Sequence, residues 1–284
     1  MSLASKLPWT HRFAGGYPGL SSQPLPTDAD AIDYLTRMAT ADGAGVETGV
    51  AVVVDAFFRD TKASGVFDAL KACCILAGAR TLAGALVPVV GDAPTNVADG
   101  FVNGDYSRTA GLTGDGTSYL NSGVSNDSDF SGTVANPVND NHNAVYVTTA
   151  NTVTSGSYIS ASLGLEGGAN NLVSDPDNTR IFTRNRSDAA ELFVGKQSAV
   201  GLLGTSRQGS ASYVVRIEGS DTTVNVASVG ASSDNLFVFS RNSSGSPTGT
   251  TDATLAFYSI GTSLSLEDLD TAVTNLITAI GEAL

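Results

Sequence analysis

Apolar and polar side chains alternate along much of the chain beyond residue 100, and the period changes only near the end. Thr254-Leu-Ala-Phe-Tyr-Ser-Ile-Gly261 is rich in β-formers and predicts a half-buried strand. Ser265 then stands as an N-cap with Asp268 three residues on, the spacing of a capping box. Leu266, Leu269, Val273, Leu276, Ile277 and Ile280 fall on one helical face, so the chain closes on an amphipathic helix. Further strands are expected at residues 143–150, 157–163, 179–184, 213–218, 222–229, 235–241 and 253–260. Asn103-Gly104 and Gly219-Ser-Asp221 are turn signals. Strands at this spacing without intervening helices predict an antiparallel sandwich or jelly roll. No internal repeat points to a propeller or solenoid.

Before residue 100 the pattern is helical. Thr27 can cap a helix through Met38, with Asp30 at the capping-box position and Gly43 ending it. A second helix over 46–62 carries Val50, Val53, Val54, Phe57 and Phe58; Gly65 breaks it. A third, short helix follows through Phe67, Leu70 and Ile75. Helices this short need a partner face, which the sandwich, a neighbouring copy or both could supply. Residues 79–100 read as a Gly/Pro-punctuated connector. In residues 1–26, Pro8, Pro18, Pro24 and Pro26 block regular structure and predict an extended arm carrying Trp9, Phe13 and Tyr17. Such an arm either lies across another surface or is a disordered tail with incidental aromatics. The chain therefore divides into an arm (1–26), a helical anchoring region with connector (27–100) and a sandwich with its closing helix (101–284).

Charge narrows the partners. The 284 residues carry 28 acidic and 15 basic side chains, a net charge of −13. That surface repels phosphate backbones, so nucleic acid is not an expected partner. Cations gather only at Arg180, Arg184 and Arg186, on a predicted strand, and are read as local ion-pair formers. Cys73 and Cys74 are adjacent, a spacing whose disulfide would be strained, and are read as packing residues. No apolar run is long enough to span a bilayer, and the N-terminus lacks a signal-peptide core. The expectation is a chain made in the cytoplasm, with no membrane partner.

The closing segment has a further resemblance. Leu236-Phe-Val-Phe-Ser-Arg-Asn242, Leu255-Ala-Phe-Tyr-Ser-Ile-Gly261, Leu264-Ser-Leu-Glu-Asp268 and the final helix resemble the concanavalin A-like (laminin-G-like) sandwich of bacteriophage virion proteins. Val66-Phe-Asp-Ala-Leu70, Leu76-Ala-Gly78 and Thr81-Leu-Ala-Gly-Ala-Leu86 are similar to the helix and connector before it. Gly111-Leu-Thr-Gly-Asp-Gly-Thr-Ser-Tyr-Leu-Asn121 is similar to its opening strand. The resemblance covers about residues 60–284. It implies a mainly β fold of two antiparallel sheets, a concanavalin A-like jelly roll, and roles in attachment, capsid decoration and carbohydrate recognition.

On that basis the expected function is a non-enzymatic capsid decoration or cement protein located on the virion. Trp9, Phe13, Tyr17, Phe57 and Phe58 would then contact the major capsid protein or another virion protein, in a homo-oligomer expected to be a trimer. The alternative is a tail or head fibre adhesin binding host polysaccharide through the sandwich loops.

Catalytic signatures are absent from the sequence. Related glucanases carry a Glu-x-Asp-x-x-Glu strand that this chain lacks, and Glu267-Asp-Leu-Asp270 lies in a helix's first turn, where carboxylates favour the macrodipole. There is no Gly-x-Ser-x-Gly elbow, and the glycines at 164–168 and 201–204 read as turns. His11 and His142 are the only histidines. His142 sits in Asn139-Asp-Asn-His-Asn143, a polar cluster that could hold Ca2+ with Asp127 and Asp129 or Asp175 and Asp177. Asx-turns account for the same residues, and no cofactor is expected. Tyr106, Tyr119 and Tyr158 are candidate sugar-stacking residues, with packing as their default role.

Overall fold

The computed structural model describes residues 25–97, 100–128, 139–162 and 168–284. Trp9, Phe13 and Tyr17 lie outside these residues. Helices α1 (Ala29–Asp42), α2 (Thr48–Ala63) and the single turn α3 (Val66–Ala69) lead into β1 (Leu70–Ile75). A second short turn, α4 (Leu82–Ala85), precedes β2 (Pro88–Val90), β3 (Thr95–Val97), β4 (Tyr106–Ser107), β5 (Gly111–Thr113) and β6 (Tyr119–Ser125). Then come β7 (Asn141–Thr149), β8 (Gly156–Ala161), β9 (Ala169–Asp175), β10 (Arg180–Ser187), β11 (Glu191–Val194) and β12 (Gly201–Arg207). The chain finishes with β13 (Tyr213–Ile217), β14 (Ser220–Val224), β15 (Asn235–Val238), β16 (Arg241–Ser243), β17 (Ser246–Thr248), β18 (Thr254–Gly261) and α5 (Leu266–Ala283).

The strands form two sheets packed as a sandwich. The front sheet runs β14-β13-β12-β7-β18-β1-β2, with β5 paired to β18 and β4 to β5; the back sheet runs β11-β10-β9-β8-β15-β6-β3, with β16 and β17 attached. Pairing is antiparallel except between β16 and β8. Between the sheets, Val145, Val147, Leu203 and Leu255 of the front meet Leu120, Ile159, Leu172 and Val238 of the back. Towards one end this core turns polar. Asn185 donates from Nδ2 to Thr205 Oγ1 (2.9 Å), and the buried Arg207 guanidinium donates to the carbonyls of Asn185, Gly209, Ser212 and Val226.

A helical layer covers the outer face of the front sheet. α1, α2 and α5 share a second apolar core with Cys73, Ile75, Leu202, Ala256 and Phe257. This explains a departure from the sequence reading of 254–261. The strand is buried at every position rather than half-buried, because each of its faces meets a different core. The same layering gives each cysteine its own surroundings: Cys74 faces the inter-sheet core and Cys73 the helices, as alternation along a strand requires. Both are free thiols, and burial pushes the Cys74 thiol up to about 12.

Two local expectations are corrected. The third helix stops at Ala69; Leu70–Ile75 is a strand pairing with β18 through Cys73↔Ser259, Cys74↔Tyr258 and Ile75↔Phe257. The 27–100 region is therefore no separate anchor, since it contributes β1 to the front sheet and β3 to the back. Gly201–Gly204 is not a turn but the start of β12. A Cβ on Gly204 would lie 2.9 Å from Ala144 Cβ and 3.0 Å from Leu266 Cδ2, so the glycine lets α5 settle onto the sheet.

The helix ends follow the sequence closely. Asp28, rather than Thr27, caps α1 by accepting from the Asp30 and Ala31 amides, and Gly43 ends it at φ 64° in the left-handed region. The Asp55 carboxylate accepts the Thr27 and Asp28 amides, both at 2.7 Å, and fixes the entry of α1 on α2. Ser265 caps α5 by accepting from the Asp268 amide at 3.2 Å. The face of α5 holding Leu266, Leu269, Val273, Leu276, Ile277 and Ile280 is buried, each such side chain stabilising by about 1.5–3 kcal/mol. Arg216 of β13 bridges Asp270 of α5 and Asp221 of β14, both at 2.7 Å. Replacing Ser265 with alanine is expected to cost about 1 kcal/mol, measured as a lower urea midpoint at unchanged slope. Among the described residues, no helix is long and apolar enough to cross a membrane.

Candidate functional site

The helical core contains no residue of the back sheet; β8 and β9 of that sheet are buried on both faces, and its outer face is exposed towards β11, at Leu192 and Val194. Register places its side chains in rows, because directly paired residues share a face. Leu192, Phe182, Val173 and Ser157 form one row across β11, β10, β9 and β8. Arg184, Asn171 and Ser160 form the next, and Arg241 of β16 pairs with Ser160. A third row holds Val194, Arg180 and Asp175. The intervening residues, Ile181, Leu172 and Ile159, point into the inter-sheet core, as the two-residue period demands.

The floor of this face is buried and polar. Ser157, Ser160 and Asn171 are each at most 1% exposed. Ser157 Oγ, Ser160 Oγ and Asn171 Oδ1 have no hydrogen-bond partner among the described residues. An acceptor or hydroxyl left so in a protein interior costs about 1–3 kcal/mol unless something satisfies it. Val173 lies fully buried beside them and belongs to neither apolar core. Around the floor stand Phe182, Arg184 and Arg241, all half-buried.

Charge on this face is unevenly balanced. Arg180 pairs with Asp175 at 2.9 Å, as the sequence suggested for the arginine cluster. Arg186 is fully buried and donates to the Ser128 carbonyl, a structural role. Arg241 donates from Nε to Thr248 Oγ1 at 3.2 Å. Burial, and then the neighbouring positive charge of Arg184, pull the Arg241 guanidinium below its usual range. Nothing in the sequence pattern flagged Arg241, since it lies 57 positions from Arg184 and the fold alone brings them together.

Other predicted site residues are placed elsewhere. Phe57 and Phe58, expected at a partner surface, are 2% and 0% exposed and pack against Phe257, Tyr34 and Phe67 inside the helical core. Helix α2 turns its aromatic face inward because the front sheet beneath it is apolar. Tyr158 is fully buried, Tyr119 stacks on Phe237 at 4.5 Å, and Tyr106 donates to the Ala79 carbonyl, so all three tyrosines serve packing.

His142 lies within β7 rather than a turn, with Nδ1 at 2.6 Å from Thr262 O and Nε2 at 3.1 Å from Ser259 Oγ. Both ring nitrogens are therefore occupied. Asp175 is engaged by Arg180 and Asn178, and no group of three or more metal-binding side chains occurs among the described residues. A groove of 620 Å³ lies between the β12–β13 edge and the start of α5. Its lining is uncharged, and Ser206 Oγ is satisfied by the Leu264 carbonyl and amide.

No family model and no curated protein matches the sequence. Among solved structures, the chain is similar to the Ruminococcus gnavus IT-sialidase CBM40 bound to α2,3-sialyllactose, at 10% identity and a TM-score of 0.38. That alignment covers 48% of this chain and 82% of the other. The NanB sialidase of Streptococcus pneumoniae aligns at 11% identity and a TM-score of 0.38, covering 47% of this chain and 24% of the sialidase. The botulinum neurotoxin serotype D binding domain aligns at 10% identity and a TM-score of 0.47, covering 73% of this chain and 51% of that domain. Sialyllactose belongs to the structure that holds it and does not identify a ligand for this chain.

Proposed function

We propose that this protein is a non-catalytic binding sandwich that recognises a glycan through the outer face of its back sheet. The observation that carries the reading is the asymmetry of the two sheets. The front sheet shares an apolar core with the helices on its outer side, whereas the back sheet's outer face exposes Leu192 and Val194 beside half-buried Phe182, Arg180 and Arg184. Sugars present hydroxyl groups and flat apolar C–H faces, and that mixture complements such a surface.

The non-catalytic part rests on side-chain types. Along the three rows the one acid is Asp175, and it is committed to Arg180 and Asn178. Retaining hydrolysis needs two carboxyls about 5 Å apart across one sugar. Capsid decoration loses its helical support, because α1 and α2 stabilise the sandwich instead of presenting aromatics. Location on a virion, contact with a capsid protein and trimer formation rest on the resemblance alone.

The test is an array of bacterial surface polysaccharides and host glycans. Retention of at least one glycan class is expected, and Phe182→Ala should weaken it by about tenfold through loss of ring contact. Asp33→Ala, on the helical side and exposed, should leave binding unchanged. Absence of retained glycan, or equal loss in both variants, overturns the proposal.

A further inference from the structure

We propose that two copies of this chain join edge to edge through β11, in an antiparallel pair centred on Phe193, so that their back sheets form one continuous sheet. Strand β11 ends the back sheet and pairs only with β10 among the described residues. One hydrogen bond shows which of its backbone groups face outward: the Gly195 amide donates to the Thr179 carbonyl at 2.6 Å. Antiparallel ladders alternate, so Gly195, Phe193 and Glu191 turn their amides and carbonyls towards β10, and Leu192 and Val194 turn theirs to the open edge. The same two residues carry exposed apolar side chains. Leu192 is 46% and Val194 72% exposed, and among the described residues no other strand exposes a large apolar side chain.

The other sheet ends are blunted in the ways natural edges are. Strand β14 offers Ser220, Asp221, Thr222 and Thr223, all exposed and polar. Strand β2 begins at Pro88, which has no amide, and the Pro88 carbonyl accepts from Arg37 Nη1 at 2.7 Å. Strand β3 exposes Thr95 and Asn96. By contrast β11 holds neither proline nor lysine, and its one charge, Glu191, lies at its start.

A second copy of β11 fits this edge by symmetry. With Phe193 opposite Phe193, Leu192 of each copy faces Val194 of the other. These are the residues whose backbone points outward, so the pairing makes four N–H···O=C bonds. Phe193 packs towards the inter-sheet core, so the two Leu192 and two Val194 side chains meet on the outer face. The two Glu191 carboxylates stand about 14 Å apart along the strands, more than the Debye length of roughly 8 Å at physiological salt. No like charges are therefore opposed within the pair. Each copy uses its single β11, so assembly closes at two copies.

Four paired residues make an interface smaller than the roughly 1,200–2,000 Å² of stable complexes, so the dimer exchanges with monomer at a Kd on the order of 10–100 µM. Each copy carries a net charge of −13, and this long-range repulsion weakens as salt is added. The two-fold axis stands normal to the sheet and keeps both outer faces on one side. On the glycan reading above, two Phe182-bearing faces would then meet a polymer of repeated epitopes together, with a gain in avidity.

Sedimentation velocity of the full chain from about 5 to about 500 µM should show a monomer–dimer equilibrium that tightens as salt rises from about 50 to about 500 mM. Val194→Lys places a charge in the pair, and Val194→Pro removes one outward amide while leaving the β10 ladder intact. Each should weaken association at least tenfold at an unchanged melting temperature; if one variant does not fold, the other carries the comparison. Val102→Lys makes the same change at a side chain 60% exposed outside any strand, and should associate as wild type does.

Crosslinking reads the register. Leu192→Cys and Val194→Cys copies, mixed and treated with diamide, should join to each other at least tenfold faster than either joins to itself, because facing residues lie about 5.5 Å apart at Cα, within disulfide reach. Cys73 and Cys74 are buried and do not compete. A chain that stays monomeric at about 500 µM, or an association that Val194→Lys and Val102→Lys weaken equally, overturns the pairing. Equal rates for mixed and self disulfides overturn its register. No glycan enters these measurements, so a monomeric chain that still retains a glycan overturns the pairing alone.

Discussion

Replacing Phe57 with alanine is expected to lower the free energy of unfolding by about 3–5 kcal/mol, with little change in denaturant slope. The side chain is 2% exposed, edge-on to Phe257 of β18 at 6.2 Å between centroids and to Phe58 at 6.0 Å. Truncation removes the transfer free energy of the ring and leaves a cavity between α2 and the front sheet, where β18 is held on both sides by β1 and β7 and cannot collapse inward. Loss of the two edge-on aromatic contacts adds to the cost. Phe57→Leu keeps most of the volume and should cost under about 1.5 kcal/mol. A residue whose role was to grip a partner would behave oppositely, with stability near wild type and the loss confined to assembly. Urea unfolding of the two variants separates these outcomes, and a change below about 1 kcal/mol for Phe57→Ala would remove the helical layer from the fold described above.

That contrast shows what the hydrophobic pattern could and could not convey. Phe57 and Phe58 were legible as one apolar helical face, but periodicity says only that a face is covered and is silent on what covers it. The cover is the front sheet, and its own pattern was obscured by the same fact. Strands buried on both faces lose their alternation, so Leu70–Ile75 read as a helix and Thr254–Gly261 as half-buried. Where one face meets a core and the other meets something polar, alternation survived, as in Arg180–Ser187. Helix caps at Gly43 and Ser265 were legible because they are local chemistry.

The candidate site was legible least. Arg180, Arg184 and Arg186 stood out as a cluster, and two of them are engaged by Asp175 and by the Ser128 carbonyl. The row that joins Arg184 to Asn171, Ser160 and Arg241 spans three other strands, and no local spacing encodes that meeting. Unsatisfied polar atoms are likewise invisible to sequence, since serine and asparagine occur throughout this chain and only packing decides which of them lack partners.

Between pH 6.5 and about 4 the protein is expected to lose about 3 kcal/mol of stability through His142 alone. The imidazole is buried in β7, and its burial, partly offset by the Thr262 hydrogen bond and the charge of Asp140, holds its pKa down at about 4. The Thr262 carbonyl can only accept, so Nδ1 carries the proton and Nε2 accepts from the Ser259 hydroxyl. The neutral ring is thus fully satisfied, and the folded state resists a second proton that the unfolded chain takes up near 6.5.

Wherever the unfolded state binds more protons, stability rises with pH. The contribution is therefore complete above 6.5 and is lost as pH falls toward 4. Carboxylates act in a lower window. Asp28, Glu47, Asp115 and Asp252 feel burial that would raise them, but hydrogen bonds and cationic neighbours outweigh it, so their contribution fades only below about 4.5. His142→Gln should be less stable than wild type at pH 7.5, yet nearly flat from 6.5 to 4.5, where wild type slopes. Melting temperatures of the two proteins across that interval make the comparison. Parallel curves would mean that His142 titrates normally and that its buried, doubly bonded geometry is not the one the protein adopts.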